Sequence, residues 1–246
     1  MREKRERLPF TSRMSRGETV AALVYLPIHI VLLPTLITAL MGDRFNGAEL
    51  NFVCYALGVL YMLACQWRFL RRDFDPLCDN FPFIALEVVI CYGLMLAFNM
   101  VLNGLLAAAE SLLTSGDGMG FVMNNPNNSA VVSLTDEGEG MVKALAVFLA
   151  PILEELMFRA GVFGLVRRYN RTLAYLASML LFALYHVWGY ALGDPIVWLY
   201  LLQYLPVSYL LCRCYERSNS IWGSIFLHML INFISLRALT FLQELM

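Results

Sequence analysis

Charge is what this chain has least of: Asp, Glu, Lys and Arg make up only 15% of its 246 residues. An ordinary soluble domain carries roughly a quarter. Hydrophobic residues reach 59%, with a mean hydropathy of +0.63, more apolar surface than a soluble interior of this size can hide. That excludes a soluble globular enzyme, a disordered tail and a disulfide-stapled secreted domain. The net charge is −1, and no basic tract beyond the first sixteen residues suggests a nucleic-acid partner. The six cysteines (Cys54, Cys65, Cys78, Cys91, Cys212 and Cys214) include no C-x-x-C pair. They read as small apolar residues rather than as disulfide or zinc partners. There is no H-E-x-x-H, no internal repeat and no small-residue cleavage site after the first apolar run, so a signal peptide is not expected.

What is present is apolar runs. Seven segments, near 19–41, 50–69, 82–109, 141–166, 172–190, 195–212 and 220–243, approach the roughly 20 residues a bilayer crossing needs. The expected fold is an all-α polytopic membrane protein with about seven transmembrane helices. Its expected parts are a basic cytoplasmic tail (1–18), three N-terminal helices (19–110), a polar extracytoplasmic loop (111–140) and a catalytic core of four C-terminal helices (141–246). Of eighteen Lys and Arg, fourteen fall in the tail and in the second–third, fourth–fifth and sixth–seventh loops. By the excess of positive charge on cytoplasmic loops, the N-terminus is cytoplasmic and the C-terminus outside. The insert 111–140, rich in Gly, Asn, Asp and Glu, reads as a linker. His29, Asn99 and Asn103 read as interhelical hydrogen-bonding groups, and Glu87 as an acid near the interface.

Ionisable side chains at bilayer depth mark functional positions by default. The fourth segment reads Ala150-Pro-Ile-Leu-Glu154-Glu155-Leu-Met-Phe-Arg159-Ala-Gly161, with Pro151 expected to kink the helix. Glu155 and Arg159, four apart, share a face and are placed to pair. Glu154 points about 100° away and keeps a freer carboxylate. The fifth segment supplies Phe182 and His186, and the seventh supplies His228 and Asn232. At about 1.5 Å rise per residue, Glu154 lies roughly 18 Å from the cytoplasmic end, His186 roughly 21 Å, Asn232 roughly 18 Å and His228 roughly 12 Å. Acid, imidazole and amide from three helices thus share one level.

Those groups suit water activation. A carboxylate takes a proton from water, an imidazole shares it, and the Asn232 amide with one histidine stabilises the oxyanion. No Ser or Cys stands in a recognisable nucleophile pattern. Zinc held by the same glutamates and histidines is the competing chemistry, although Arg159 opposes a dication. A buried charge network that only ties helices together, a proton-coupled transporter and a non-catalytic immunity or scaffold protein are the other readings.

Glu154-Glu155-x-x-x-Arg159, Phe182-x-x-x-His186 and His228-x-x-x-Asn232, in that order, resemble the three motifs of the CPBP family. That family comprises type 2 CAAX prenyl proteases and bacteriocin-processing or self-immunity (Abi) proteins. The resemblance covers about 138–246; residues 1–137 resemble no named family. It implies an intramembrane endopeptidase in which Glu154 and His186 activate water and His228 and Asn232 form the oxyanion site. Glu155 and Arg159 support them, and no cofactor is needed. It departs at Ala160, where glycine usually follows the motif arginine. The expected partners are the lipid bilayer and a membrane protein or peptide precursor, in a bacterial plasma membrane.

Overall fold

The computed structural model describes residues 10–11, 13–41, 44–114 and 125–245. The tail residues Arg2, Lys4, Arg5 and Arg7 lie outside the described residues. Among those described there is helix and no strand. The helices are α1 (Arg16–Met41), α2 (Gly47–Asp79), α3 (Phe81–Thr114), α4 (a continuous run over 126–167), α5 (Arg171–Ala191), α6 (Pro195–Ser218) and α7 (Ile221–Leu245).

Local chemistry sets the starts. Ser15 and Glu18 form a capping box on α1, and Asn46 and Glu49 form one on α2, each satisfying two backbone N–H groups. Asn125 caps α4 with Pro126 in its first turn, Asn170 caps α5, and Asp194 caps α6 with Pro195 in its first turn. The cap of α7 is borrowed. Asp73, fully buried in α2, accepts from the Ile221 N–H, while Asn219 turns the chain with a φ of 51°.

Six helices are long and apolar enough to cross a membrane by length and composition. α4, which covers the fourth expected span, is the exception, and its position explains why. All nine residues of Glu155–Phe163 are buried. A helix ringed by protein needs no lipid-compatible face, so its two glutamates and arginine are carried without meeting hydrocarbon. α1 closes on it where Ala22 meets Gly161, and α2 closes on it at Gly58. A Cβ on Gly58 would stand 2.7 Å from the Tyr25 hydroxyl and 2.8 Å from Leu153. Small residues at these crossings let the backbones approach.

Four basic segments gather at one end. Arg13 donates to Asp73 and to the Asn219 carbonyl, both at 2.8 Å. Arg168 donates to the Met14 carbonyl at 2.7 Å. Arg167 and Arg171 bind Glu216 at 2.7 and 2.8 Å. The N-terminal segment and the α2–α3, α4–α5 and α6–α7 turns therefore share a face, the arrangement that alternating arginine-rich loops imply.

Two expectations need correction. The 111–140 insert is not a loop throughout. α3 runs to Thr114, and α4 starts at Pro126, because the Asn125 cap and Pro126 begin a helix that the insert's polarity concealed. Arg68, Arg71 and Arg72 belong to α2 itself, which extends ten residues past the expected span end of 69. Around Pro151, where a kink is expected, Leu149 and Ala150 keep right-handed helical angles, and the residue of α4 with non-helical angles is Gly138 (φ −177°, ψ 72°). A wider π turn, Leu145–Leu149, contains Val147, whose carbonyl the Pro151 ring would otherwise crowd. Ile28–Leu32 stands in the same relation to Pro34.

Candidate active site

α4 brings the two glutamates to the middle of the molecule as its winding changes, Glu154 ending an α segment and Glu155 opening the nine-residue π segment. Short π stretches recur at functional sites. The i,i+4 spacing brings Glu155 Oε1 3.0 Å from an Arg159 guanidinium nitrogen, with both side chains fully buried. Arg159 also donates to Ser208 Oγ at 3.0 Å and lies 4.1 Å from the centre of the Phe182 ring. The guanidinium is thus held by a carboxylate, a hydroxyl and an aromatic face.

Glu154 is arranged differently. Its Oε1 accepts a long bond from the Tyr55 hydroxyl at 3.4 Å. Its Oε2 is buried without a hydrogen-bond partner and stands 3.8 Å from Nε2 of both His186 and His228. α5 and α7 supply these imidazoles, and a second contact orients each one. His186 Nδ1 lies 2.8 Å from the Phe182 carbonyl, and His228 Nδ1 lies 2.9 Å from Glu155 Oε1. A carbonyl and an arginine-bound carboxylate can only accept, so chemistry assigns the proton to Nδ1 in both rings. In neutral histidines both Nε2 lone pairs then face Glu154, and three acceptors converge on one point. Hydrogens or a cation must lie between them.

Asn232 lines the same cavity, one turn along α7 from His228, and one N–H of its amide is bonded to the Ala146 carbonyl at 2.8 Å. His228 comes as close to Glu154 as His186 does, whereas counting residues along the helix sets it one turn shallower. Axial rise takes no account of helix tilt or side-chain reach. Glu87 falls outside the cluster. It is buried in α3 against Arg213 at 3.2 Å and Arg217 at 2.7 Å.

The cavity around the cluster is about 650 Å³ and is also lined by His29, Tyr55, Tyr185 and Tyr204. Sequence reading took His29 for an interhelical hydrogen-bonding group, which its contact with Tyr185 matches, and overlooked Tyr55 and Tyr204. In the structure Tyr55 and Tyr185 share a hydroxyl hydrogen bond of 2.6 Å, and Tyr185 meets His29 Nε2 at 3.2 Å. Tyr204 stacks on His186, their ring centroids 4.7 Å apart. Tyrosines are common in membrane helices, and only the contacts of Tyr55 with Glu154 and of Tyr204 with His186 distinguish these two. Among the described residues no group of three or more His, Cys, Asp and Glu forms a metal-holding cluster.

With this geometry in view, comparison with known proteins is informative. Residues 140–234 match the family of type II CAAX prenyl endopeptidases, Rce1-like. Over these residues the C-terminal part of the chain is similar to the CPBP family. The match takes in Glu154, Glu155, Arg159, His186, His228 and Asn232 and is one of membrane endopeptidases. Two Lactococcus lactis proteins are similar to the chain. UPF0177 protein YxdF is 34% identical over 90 residues, 37% of this chain and 45% of its own length. UPF0177 protein YvdC is 24% identical over 210 residues, 83% of this chain and 72% of its own length. The chain thus spans less than half of YxdF and about three quarters of YvdC. No solved structure matches.

Proposed function

We propose that the chain is an intramembrane endopeptidase that hydrolyses a peptide bond of a membrane-associated protein or peptide precursor with water activated by Glu154 and His186. The observation that carries this reading is the buried Glu154 Oε2, free of hydrogen bonds and 3.8 Å from two imidazole Nε2 atoms. A water at hydrogen-bonding distance, about 2.8 Å, donates one O–H to the carboxylate and one to the His186 imidazole, satisfying two of the three converging acceptors. Its oxygen attacks the carbonyl carbon, Glu154 takes the proton, and that proton passes to the departing amine as the C–N bond breaks. His228 and the second N–H of Asn232 are assigned to the oxyanion. His228, whose Nδ1 contacts Glu155, donates from Nε2 to the oxyanion as an imidazolium, with a proton on each ring nitrogen. The arginine-rich end faces the cytoplasm of a bacterial cell, in keeping with the two bacterial relatives.

Glu154→Gln keeps the shape and removes the base. Purified variant protein should remain folded and lose cleavage of membrane peptides, and activity equal to wild type would end this reading. Zinc is the second reading, because Glu154, His186 and His228 are residue types that ligate it, although they stand here too far apart to form a metal-holding cluster. Elemental analysis separates the two. Far less than one zinc per active chain is expected, and stoichiometric zinc lost in His186→Ala and His228→Ala would establish the metal mechanism.

A further inference from the structure

The cavity has a second chemical character beyond the Glu154 cluster. Asn99 and Asn103, one turn apart on α3, line it together with Asn125, Asn127 and Asn128 at the start of α4 and Gln203 of α6. Carboxamides at such density inside a membrane protein are costly unless they face water or a polar ligand. Some are committed to structure. Asn125 Nδ2 donates to Gln203 Oε1 at 2.7 Å, and Asn125 Oδ1 accepts from the Tyr204 hydroxyl at 3.2 Å. These bonds fix the wall and join it to the reacting centre, since the ring of the same Tyr204 stacks on His186. One tyrosine side chain therefore separates the amide wall from the imidazole. That is a reach of about two to three residues of extended peptide at roughly 3.3 Å each.

A carboxamide offers a donor and an acceptor without charge, the same pair that each peptide group presents. Glu154 is the only Asp, Glu, Lys or Arg among the described lining residues, and residues 111–140, from the end of α3 into the first part of α4, contain no Lys or Arg. A free carboxylate brought here would meet neutral amides and an acid rather than the cation that burying it calls for. We propose that this wall binds the main chain of an extended polypeptide two to three residues from the bond to be cut. The site thereby takes internal peptide bonds rather than bonds beside a free C-terminal carboxylate. The inference rests on the proposed hydrolase reading for the identity of the bond, but the binding it describes can be tested without hydrolysis.

The test uses the full-length Glu154→Gln protein in nanodiscs to capture a randomised dodecapeptide pool, N-acetylated and C-amidated, alongside the same pool with free C-termini. Both pools should be captured within about threefold of each other. Asn99→Leu with Asn103→Leu should lower capture of both by about tenfold, the equivalent of ~1.4 kcal/mol. The corresponding Gln variants should restore it, which a purely packing role would not. Free-acid peptides captured about tenfold better than amides would overturn the proposal, as would Leu variants that bind normally or failure to capture either pool. Adding wild-type protein to the peptides captured from both pools separates the two readings. Capture without cleavage removes the hydrolase assignment and leaves the binding wall, whereas cleavage confined to bonds next to free carboxylates does the reverse.

Discussion

Two adjacent glutamates have opposite surroundings, and their substitutions should behave differently. Glu155 is bound by Arg159 and by His228, so Glu155→Gln leaves a fully buried guanidinium without its carboxylate. Breaking a buried pair from one side costs about 3–5 kcal/mol, so this variant should lose both folded yield and activity. Glu155→Gln protein that unfolds at the wild-type temperature would contradict that account. Tyr55 makes a subtler case. Its hydroxyl is 3.4 Å from Glu154 Oε1, a long bond to a charged acceptor and so at or below the weak end of the 1.5–3 kcal/mol range. Tyr55→Phe should lower kcat by about tenfold, ~1.4 kcal/mol, and leave KM unchanged. A KM effect alone would place Tyr55 in substrate binding instead. Glu87 belongs to neither group. Because it holds Arg213 and Arg217 together, Glu87→Gln should lower the unfolding temperature while the surviving folded protein keeps its turnover per molecule.

α4 shows at the level of elements what sequence could and could not reveal. Glu154, Glu155 and Arg159 stood out because charge in an apolar run is costly, and spacing alone paired Glu155 with Arg159. The hydrophobic runs gave the helices. The π turns were hidden, since nothing in Leu145–Leu149 or Glu155–Phe163 distinguishes a wide turn from an α turn until the carbonyl facing Pro151 is located. The helical start of the polar insert was also missed, although Asn125-Pro126 carries a cap signal, because composition was weighed over local chemistry. Tyr55 and the amide wall could not be read at all, since they depend on which faces of α2, α3 and α6 meet the cavity. The α1–α2–α4 crossing supplies its own test. Leu153 and Tyr25, both buried, stand where a Gly58 Cβ would project. Both side chains must shift to admit it, so Gly58→Ala should destabilise the protein by about 1–3 kcal/mol, as overpacking does. Thermal unfolding in detergent would measure this, and an unchanged midpoint would mean that the crossing is loose.

The whole molecule has two chemically distinct ends, and that asymmetry predicts its orientation. At one end Arg13, Arg72, Arg167, Arg168 and Arg171 bind Asp73, Glu18, Glu216 and backbone carbonyls, tying the N-terminal segment to the turns around it. At the other, Glu137 accepts from the Ala48 N–H at the start of α2, and Asn125 holds Gln203. Arginine retention on the cytoplasmic side is strong for short loops, and every connection at the first end is short. Seven crossings put successive turns on alternate sides, so α4, despite its charges, must cross for the four basic segments to share a face. Cysteines introduced at Asn80 and Tyr169 should therefore react with an impermeant maleimide only from the cytoplasmic side, and one at Glu139 only from outside. All three positions are exposed, and the native Cys65 and Cys78, also exposed, must first be replaced. Labelling of 80 and 139 from the same side would mean that α3, the one described helix between them, fails to cross. Labelling of all three from the reverse sides would keep the seven crossings and invert the protein, opening the amide-lined end of the cavity toward the cytoplasm and changing which precursors reach it.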